Sequence, residues 1–358
     1  MNGHHMSREI HDQPKAFETI LHEAWPEIRD LAYRAWNRAH PEYYYVIGCG
    51  SSYYAAMVAA FYHEYEFGLE STAFPSSEFV WYAPRPNARS PILLALSRSG
   101  RTSETVEATR KAMKRNVPTI AVTSDSESTM AKECDLCLDT RVPNEQSTIM
   151  TKTFTGSILC SLLFGLEFAR LSGVVIPKNF ETELNELPKS AEDVVLVVED
   201  QARKMAEKSD SIVRFIYLGS GANYGACLEG ALKLRETSYS ASEAYHSMEF
   251  RHGPFAELQK GIQVFCVVPK GRTTRQEAAL LKEIASTGAD VVPITNVPEI
   301  MASHPDSIHM PDSFSSQFAP ILSMIPMQMF AYYYTTRKGL NPDRPRNLTR
   351  YVATEISP

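Results

Sequence analysis

The sequence predicts an α/β fold in which a parallel sheet covered by helices occurs twice. Apolar strands at Tyr43–Ile47, Pro91–Leu96 and Thr119–Thr123 alternate with helices at Tyr53–Glu66 and Ser103–Arg115. Strands that alternate with helices at this spacing indicate a parallel sheet with helices on both faces.

The second half of the chain repeats the glycine turns of the first half at a constant offset of 171 residues. The matched positions are Gly48 and Gly219, Gly50 and Gly221, and the tripeptides 100–102 and 271–273. Similar apolar strands precede both members of each pair, and the strand Val291–Thr295 matches Ile120–Thr123 with a slip of one residue. A constant offset through separate elements predicts two copies of one α/β unit. Ligands bind such folds at the carboxyl ends of the strands, where these turns lie.

Five segments follow from this organisation. Residues 7–42 carry apolar side chains at helical spacing, and Lys178–Asp210 is a charged stretch interpreted as a helical bridge between the halves. The predicted segments are an N-terminal helical segment (1–42), a first subdomain (43–177), the bridge (178–210), a second subdomain (211–345) and a C-terminal tail over the active site (346–358).

Composition excludes several classes of protein. The 358 residues are 44% hydrophobic and 22% charged, which is typical of a globular protein. A net charge of −6 gives no basic excess with which to bind nucleic acid. The apolar run Gly156–Phe168 is too short to span a bilayer, and the opening MNGHHM lacks the apolar core of a signal peptide. We therefore expect no membrane or nucleic-acid partner.

The cysteines favour a reducing compartment. Several of the six lie within apolar runs, which suits buried, reduced thiols in a cytoplasmic protein. Cys134 and Cys137 form a lone CxxC without a second pair, so the alternating CDLCLDT is interpreted as a strand rather than a zinc or redox site. We expect no metal and no organic cofactor.

The turn that follows Pro91–Leu96 is the best candidate anion site. Its hydroxyl donors are Ser97, Ser99 and Thr102, and its cations are Arg98 and Arg101. Gly100 lets the backbone approach a ligand, and the next helix presents free N–H groups at its positive end. The alternative is an ordinary turn in which Thr102 or Ser103 only caps the helix.

A second candidate cluster lies on the helix after Gly219. Glu229, Lys233 and Glu236 are spaced by four and three residues, so they share one face of that helix. His252 follows within Arg-His-Gly-Pro, a sequence that bends the chain and places the histidine on a structured loop. A carboxylate and an imidazole brought together can transfer protons near neutral pH. The alternative is an exposed ion pair on the helix and a histidine that only packs.

These motifs resemble those of the sugar isomerase (SIS) superfamily, and in particular the isomerase half of glucosamine-6-phosphate synthases. The resemblance covers about residues 9 to 353. The motifs are GCGSS before a helix, SRSGRTSET, MTKTFTG, LEGALKLRETSY, EAYHSMEFRHGP and the Pro-Arg-Asn-Leu of residues 345–348. It implies two SIS subdomains, each a five-stranded parallel sheet flanked by helices in a flavodoxin- or Rossmann-like three-layer fold, after N-terminal helices. It also implies a homodimer with its active site at the interface.

The resemblance also implies a role for each candidate residue. Glu236 matches the base that moves a proton between C1 and C2, and His252 matches the group that opens the sugar ring and commonly serves the partner subunit's site. Glu229 and Lys233 match positions that line or orient this site. The family's phosphate ligands correspond to Ser97, Ser99 and Thr102, and its sugar contacts to Ser51 and Ser52.

The sequence departs from the synthase pattern at three points. It contains neither a glutaminase domain nor a cysteine at residue 2, so glutamine-dependent amination is not expected of this chain. Arg350 stands where the synthase has a Schiff-base lysine, and an arginine is always protonated and cannot act as the amine nucleophile. Arg350 is expected to bind substrate charge instead. Arg101 stands where the synthase has an acidic residue, which makes the site more cationic and suits a different anion, such as a sulfonate at C6.

The sequence therefore predicts an aldose–ketose isomerase for a hexose with an anionic C6 group, most simply a sugar 6-phosphate. Three alternatives stay open. One is C–N chemistry, either deamination of an amino-sugar 6-phosphate or deglycation of a fructosamine 6-phosphate. Another is isomerisation of a 6-sulfo sugar. The last is a non-catalytic phosphosugar sensor, which the presence of both Glu236 and His252 disfavours.

Overall fold

The computed structural model describes residues 3–83 and 90–354. Within these ranges the chain forms ten strands in two sheets. The strands are β1 (Tyr43–Gly48), β2 (Ser71–Pro75), β3 (Pro91–Leu96), β4 (Thr119–Thr123), β5 (Leu136–Asp139), β6 (Arg214–Gly219), β7 (Ala241–His246), β8 (Ile262–Val268), β9 (Asp290–Thr295) and β10 (Ile308–His309).

The helices occupy most of the intervening segments. They are α1 (His4–His11), α2 (Gln13–Thr19), α3 (Trp25–Ala39), α4 (Ser51–Phe61), α5 (Ser76–Tyr82), α6 (Ser103–Lys114), α7 (Thr129–Glu133), α8 (Lys152–Leu171), α9 (Lys178–Lys208), α10 (Ala222–Ser238), α11 (Thr274–Ala285), α12 (Pro298–Ser303), α13 (Ala319–Leu322) and α14 (Met324–Arg337). Short π turns follow α2 and α4, and two 3-10 turns, Glu249–Arg251 and Pro254–Glu257, follow β7.

Both sheets are entirely parallel and share one topology. The first has the order β2-β1-β3-β4-β5, and the second has the corresponding order β7-β6-β8-β9-β10. The central strands are buried along almost their whole length, as expected for strands covered by helices on both faces. The predicted fold class is therefore confirmed, with five strands in each sheet.

The repeat extends to whole elements. The strands β1 and β6, the strands β3 and β8, and the helices α6 and α11 each begin 171 residues apart. The edge strands β2, β7 and β10 were not predicted, because their sequences lack a long apolar run. The strand β5 contains Cys137, and burial raises the pKa of the Cys134 and Cys137 thiols to about 11, so neither thiolate forms readily.

The helix α8 is the central helix beside the first sheet. It is 20 residues long and apolar enough to cross a membrane by length and composition, but 89% of its most apolar window is buried inside the fold. The apolar run Gly156–Phe168 therefore lies within a longer helix, and that helix is buried. A core helix shows this degree of burial.

The chain divides into two compact units, each built on one sheet. The first-sheet unit comprises the described parts of residues 15–145, 152–182 and 349–358, and the second-sheet unit comprises those of 1–14, 146–151 and 183–348. Each unit has its own apolar core, packed around Ile47, Leu93 and Ala121 in the first and around Leu218, Val264 and Leu281 in the second. The five-segment division of the sequence stays a prediction, and its ends at residues 1 and 358 lie outside the described residues.

Candidate active site

The anion turn, residues 97–102, has its hydroxyl groups arranged as donors. The Ser97 hydroxyl oxygen accepts the Gly100 N–H at 3.2 Å, and the Ser99 hydroxyl oxygen accepts the Arg101 N–H at 3.2 Å. Since each oxygen accepts a bond from within the turn, its own O–H remains available to a ligand. Thr102 occupies the N-cap position of α6 but makes no side-chain cap bond, and its hydroxyl lies 3.4 Å from that of Ser97. The capping alternative is therefore not what the structure shows for Thr102.

The backbone of this turn also presents donors. Gly100 has φ +59°, and its Cα faces the Ser128 side chain so closely that a Cβ would overlap it. Within the described residues, we find no hydrogen bond from the N–H groups of Thr102 or Glu104, which lie at the positive end of α6. Such a helix start is suited to binding an anion.

Both arginines of the turn already have carboxylate partners. Arg98, 8% exposed, contacts the fully buried Glu145 at 3.1 Å, and Arg101, 37% exposed, contacts Asp125 at 2.6 Å. The turn is therefore less cationic than its sequence indicates. Arg350 is exposed, and its carbonyl oxygen accepts a hydrogen bond from Arg98.

The turn after β1 positions the two predicted sugar contacts. Gly48 lies so close to the backbone of Ser52 that a Cβ would overlap it, and Gly50 has φ +54°. Ser51 and Ser52 begin α4 and are each 7% exposed. These two serines lie in the same unit as the anion turn, at the ends of the neighbouring strands β1 and β3.

The three charged residues of α10 form one buried cluster in the second-sheet unit. The Lys233 ammonium lies 3.1 Å from a Glu229 oxygen and 2.6 Å from a Glu236 oxygen. Lys233 and Glu229 are fully buried, whereas 18% of the Glu236 side chain is exposed. The interpretation of Glu229 and Lys233 as an exposed surface pair is therefore wrong. Burial lowers the pKa of Lys233, but the two carboxylates raise it by more, so the ammonium stays charged.

Close helix packing buries this cluster. The helix α10 packs on α14 and on the strands β6 and β7. A Cβ at Gly230 would lie 2.6 Å from the sulfur of Met327 on α14, and Thr237 accepts a hydrogen bond from Thr335 of α14 at 2.8 Å. The sequence spacing predicted the shared face but not its burial, which accompanies the packing of α10 on β6, β7 and α14.

His252 lies on a structured loop, as predicted. Its N–H closes the 3-10 turn Glu249–Arg251 by donating to the Glu249 carbonyl at 2.9 Å, and Gly253 follows with φ +131°. The imidazole is exposed and has no hydrogen-bond or ion-pair partner among residues 3–83 and 90–354. It is therefore free to contact a ligand or another chain.

Sequence reasoning missed Glu277, which lies on α11 and receives hydrogen bonds from residues at the ends of β6, β7 and β8. Its buried carboxylate accepts the hydroxyls of Ser220 at 2.7 Å, Ser247 at 3.0 Å and Thr273 at 2.9 Å. In the first copy, Thr105 takes this place and lies 3.0 Å from Ser76 and 3.6 Å from Cys49. In the second copy, an internal carboxylate therefore accepts the hydroxyls at three strand ends, including that of Thr273, which matches Thr102. The signal was available, because Ser76 and Ser247 are also 171 residues apart.

Taken together, the fold and these strand-end turns define a tandem α/β protein with one open anion turn and a separate carboxylate–ammonium–carboxylate cluster. A profile of the SIS domain family matches residues 40–164 and 209–336, which is more than half of the chain. The chain therefore belongs to the SIS domain family.

Proteins similar to this chain along almost its whole length are named as sugar-phosphate enzymes. The glutamine–fructose-6-phosphate aminotransferase [isomerizing] of Gloeobacter violaceus is 31% identical over 360 residues, which cover 98% of this chain and 59% of the relative. The C-terminal domain of the glucosamine-fructose-6-phosphate aminotransferase from Francisella tularensis has a TM-score of 0.83 and 26% identity, covering 95% of this chain and 98% of that one. A glucosamine-6-phosphate deaminase from Thermotoga maritima has a TM-score of 0.76 and 29% identity, covering 97% and 99%.

Proposed function

We propose that this chain is an aldose–ketose isomerase that acts on a hexose with an anionic C6 group, most simply a sugar 6-phosphate. The observation that carries the proposal is the Glu236 carboxylate, which is held at 2.6 Å by a buried ammonium and is still partly exposed. A general base needs this combination of a fixed orientation and access to substrate.

In this mechanism Glu236 removes the proton from C2 of the open-chain aldose. The electron pair of the C–H bond forms the C1–C2 double bond of an enediol while the C1 carbonyl oxygen gains a proton. Glu236 then returns its proton to C1, and the C2 hydroxyl loses its proton as the ketose carbonyl forms. Lys233 holds the carboxylate in place, and Glu229 balances the charge of Lys233 on its other side.

The anion turn binds the C6 group in this proposal. The hydroxyls of Ser97, Ser99 and Thr102 and the N–H groups of Thr102 and Glu104 donate hydrogen bonds to its oxygen atoms. A phosphate and a sulfonate offer similar acceptor oxygens, so the turn accommodates either. Ser51 and Ser52 would contact the sugar hydroxyls.

His252 would open the ring by protonating the ring oxygen, and we propose that it serves the active site of a second copy in a homodimer. Its exposed imidazole without a partner supports this role. The test mixes two inactive variants, Glu236→Gln and His252→Asn. If His252 acts in the partner's site, mixed dimers regain activity because one site keeps both groups. If it acts within its own chain, no mixture regains activity.

A second candidate function is deamination of an amino-sugar 6-phosphate or deglycation of a fructosamine 6-phosphate. It is favoured by the Thermotoga deaminase, which matches this chain over 99% of its own length. The same Glu236 would move the C1–C2 proton, a protonated Glu236 or His252 would donate to the leaving nitrogen as the C–N bond breaks, and water would supply the oxygen of the new carbonyl.

Proton NMR in D2O distinguishes these functions. Glucose 6-phosphate, glucosamine 6-phosphate, a fructosamine 6-phosphate and a 6-sulfo glucose are tested in parallel. Ketose formation with deuterium at C1 of the ketose, or at C2 of the recovered aldose, and no amine release supports the isomerase, whereas release of ammonia or an amine supports the second candidate. If Glu236→Gln turns over at the wild-type rate, the assignment of the base is wrong. If Ser99→Ala with Thr102→Val leaves KM unchanged, the anion assignment is wrong.

A further inference from the structure

We propose that Arg98 is a positioning residue that fixes residues 349–354 of the C-terminal tail against the anion turn, and that Arg98 does not itself bind the anion. The sequence alone indicates the opposite, because an arginine between two serines of an anion turn suggests an anion ligand. The consequence for catalysis rests on the proposed function, but the contact between Arg98 and the tail does not.

The Arg98 guanidinium is held from two sides. One nitrogen, Nη1, donates to Glu145 Oε2 at 3.1 Å, and the other, Nη2, donates to the carbonyl oxygen of Arg350 at 3.0 Å. Glu145 also accepts the N–H of Thr153 at 3.0 Å and its hydroxyl at 2.5 Å, which ties the carboxylate to the start of α8. Arg98 therefore links a rigid buried anchor to an exposed segment of chain.

The tail also contacts the first residue of α6. The Ser103 N–H donates to the Val352 carbonyl at 3.2 Å, and the Thr354 N–H donates to the Ser103 hydroxyl at 2.9 Å. Ser103 directly follows Thr102, so the tail lies beside the donors of the anion turn. Tyr351 and Val352 remain 42% and 50% exposed, so polar contacts rather than apolar burial hold the tail.

Arg101 provides a matched comparison within the same turn. It also pairs with a carboxylate, Asp125, but no contact of its side chain with residues 349–354 is found in the part of the chain that the structure describes. A substitution of Arg101 therefore removes a cation from the turn without releasing the tail, whereas a substitution of Arg98 does both.

Limited trypsin digestion of the full chain tests whether Arg98 holds the tail, because the peptide bond that trypsin cleaves after Arg350 contains the carbonyl that accepts the hydrogen bond from Arg98. Proteolysis of such a site requires local opening, so its rate reports how often the tail detaches. The variant Arg98→Lys keeps a cation for Glu145 but replaces the two-sided guanidinium with a single ammonium. We expect release of the peptide 351–358 to become about tenfold faster in Arg98→Lys and to stay at the wild-type rate in Arg101→Met, at unchanged Tm.

Two more variants test the same contact in case Arg98→Lys fails to fold. The double variant Arg98→Met/Glu145→Gln removes both buried charges and should also accelerate cleavage, and Ser103→Ala should do so by removing the acceptor of the Thr354 N–H. If the double variant and Ser103→Ala both release the peptide at the wild-type rate, the proposal that Arg98 holds the tail is wrong. A rate increase in Arg101→Met equal to that in Arg98→Lys would also overturn it.

Kinetics then test the positioning role. With whichever sugar phosphate the wild type converts, we expect Arg98→Lys to raise KM several-fold with little change in kcat, because the tail contacts Ser103 directly beside the anion turn. A large fall in kcat with unchanged KM would contradict that role. If the wild type converts no tested substrate, the proposed function fails, while the digestion result still decides whether Arg98 holds the tail.

Discussion

The buried cluster on α10 gives the sharpest stability prediction. Replacing Lys233 with methionine keeps an unbranched side chain, one atom shorter, but removes the ammonium that lies 3.1 Å from Glu229 and 2.6 Å from Glu236. Glu229 would then carry an uncompensated charge in a site with no solvent exposure. Removing one partner of a buried ion pair costs about 3–5 kcal/mol. Since Lys233 serves two carboxylates, we expect a loss near the upper end of that range.

The assay is thermal and urea unfolding followed by circular dichroism at pH 7. For a unit of this size, a loss of this magnitude lowers Tm by about 6–20 °C. The pKa of Lys233 is raised above its ordinary value of 10.5, so the ammonium is present in the folded protein throughout the range from pH 7 to 10. Its contribution to stability is lost only as the pH rises through the raised value, and the difference between Lys233→Met and wild type should persist up to about pH 10.

Two controls make the result specific. The exposed pair Lys204–Asp200 on α9 has the same spacing of four residues, and Lys204→Met should leave Tm unchanged because solvent screens that pair. The double variant Glu229→Gln/Lys233→Met removes the buried charge together with its partner and should recover much of the loss. A Lys233→Met protein within about 1 kcal/mol of wild type would refute the reasoning, because a desolvated carboxylate cannot lose its counter-ion at so small a cost.

Two further predictions concern the second sheet. Gly219→Ala should destabilise the protein far more than Gly230→Ala. The new Cβ of Gly219→Ala would lie 2.7 Å from backbone atoms of Asn223, whereas that of Gly230→Ala would lie 2.6 Å from the sulfur of Met327, which is on a flexible side chain. The Tm values of both variants check this prediction, and equal losses would contradict it. Burial raises the pKa of Glu277 more than its three hydroxyl partners lower it, so the contribution of Glu277 to stability is present below pH 4.5 and is lost as the pH rises through the raised pKa. The stability of Glu277→Gln relative to wild type should therefore increase from pH 4 to 8. Urea titrations measure this difference, and a flat or falling difference would refute the prediction.

The anion turn shows how far local sequence reasoning extends. The order of hydroxyl and glycine residues between β3 and α6 determined the turn, because strand ends and helix starts are local features. The partners of Arg98 and Arg101 were not predictable, since Glu145 and Asp125 lie 47 and 24 residues away and no periodicity links them. As a result, the sequence overstated the positive charge of the turn.

The sequence by itself determined the two-fold repeat, the parallel sheets and the shared helical face of Glu229, Lys233 and Glu236. These features depend on short-range periodicity and on a constant offset, both of which are visible in one dimension. Only the tertiary structure decided that this face is buried, that Glu277 accepts hydroxyls from three strand ends and that the tail contacts Ser103. Burial and long-range hydrogen bonds depend on which distant segments pack together, and a residue's own neighbours in sequence do not specify them.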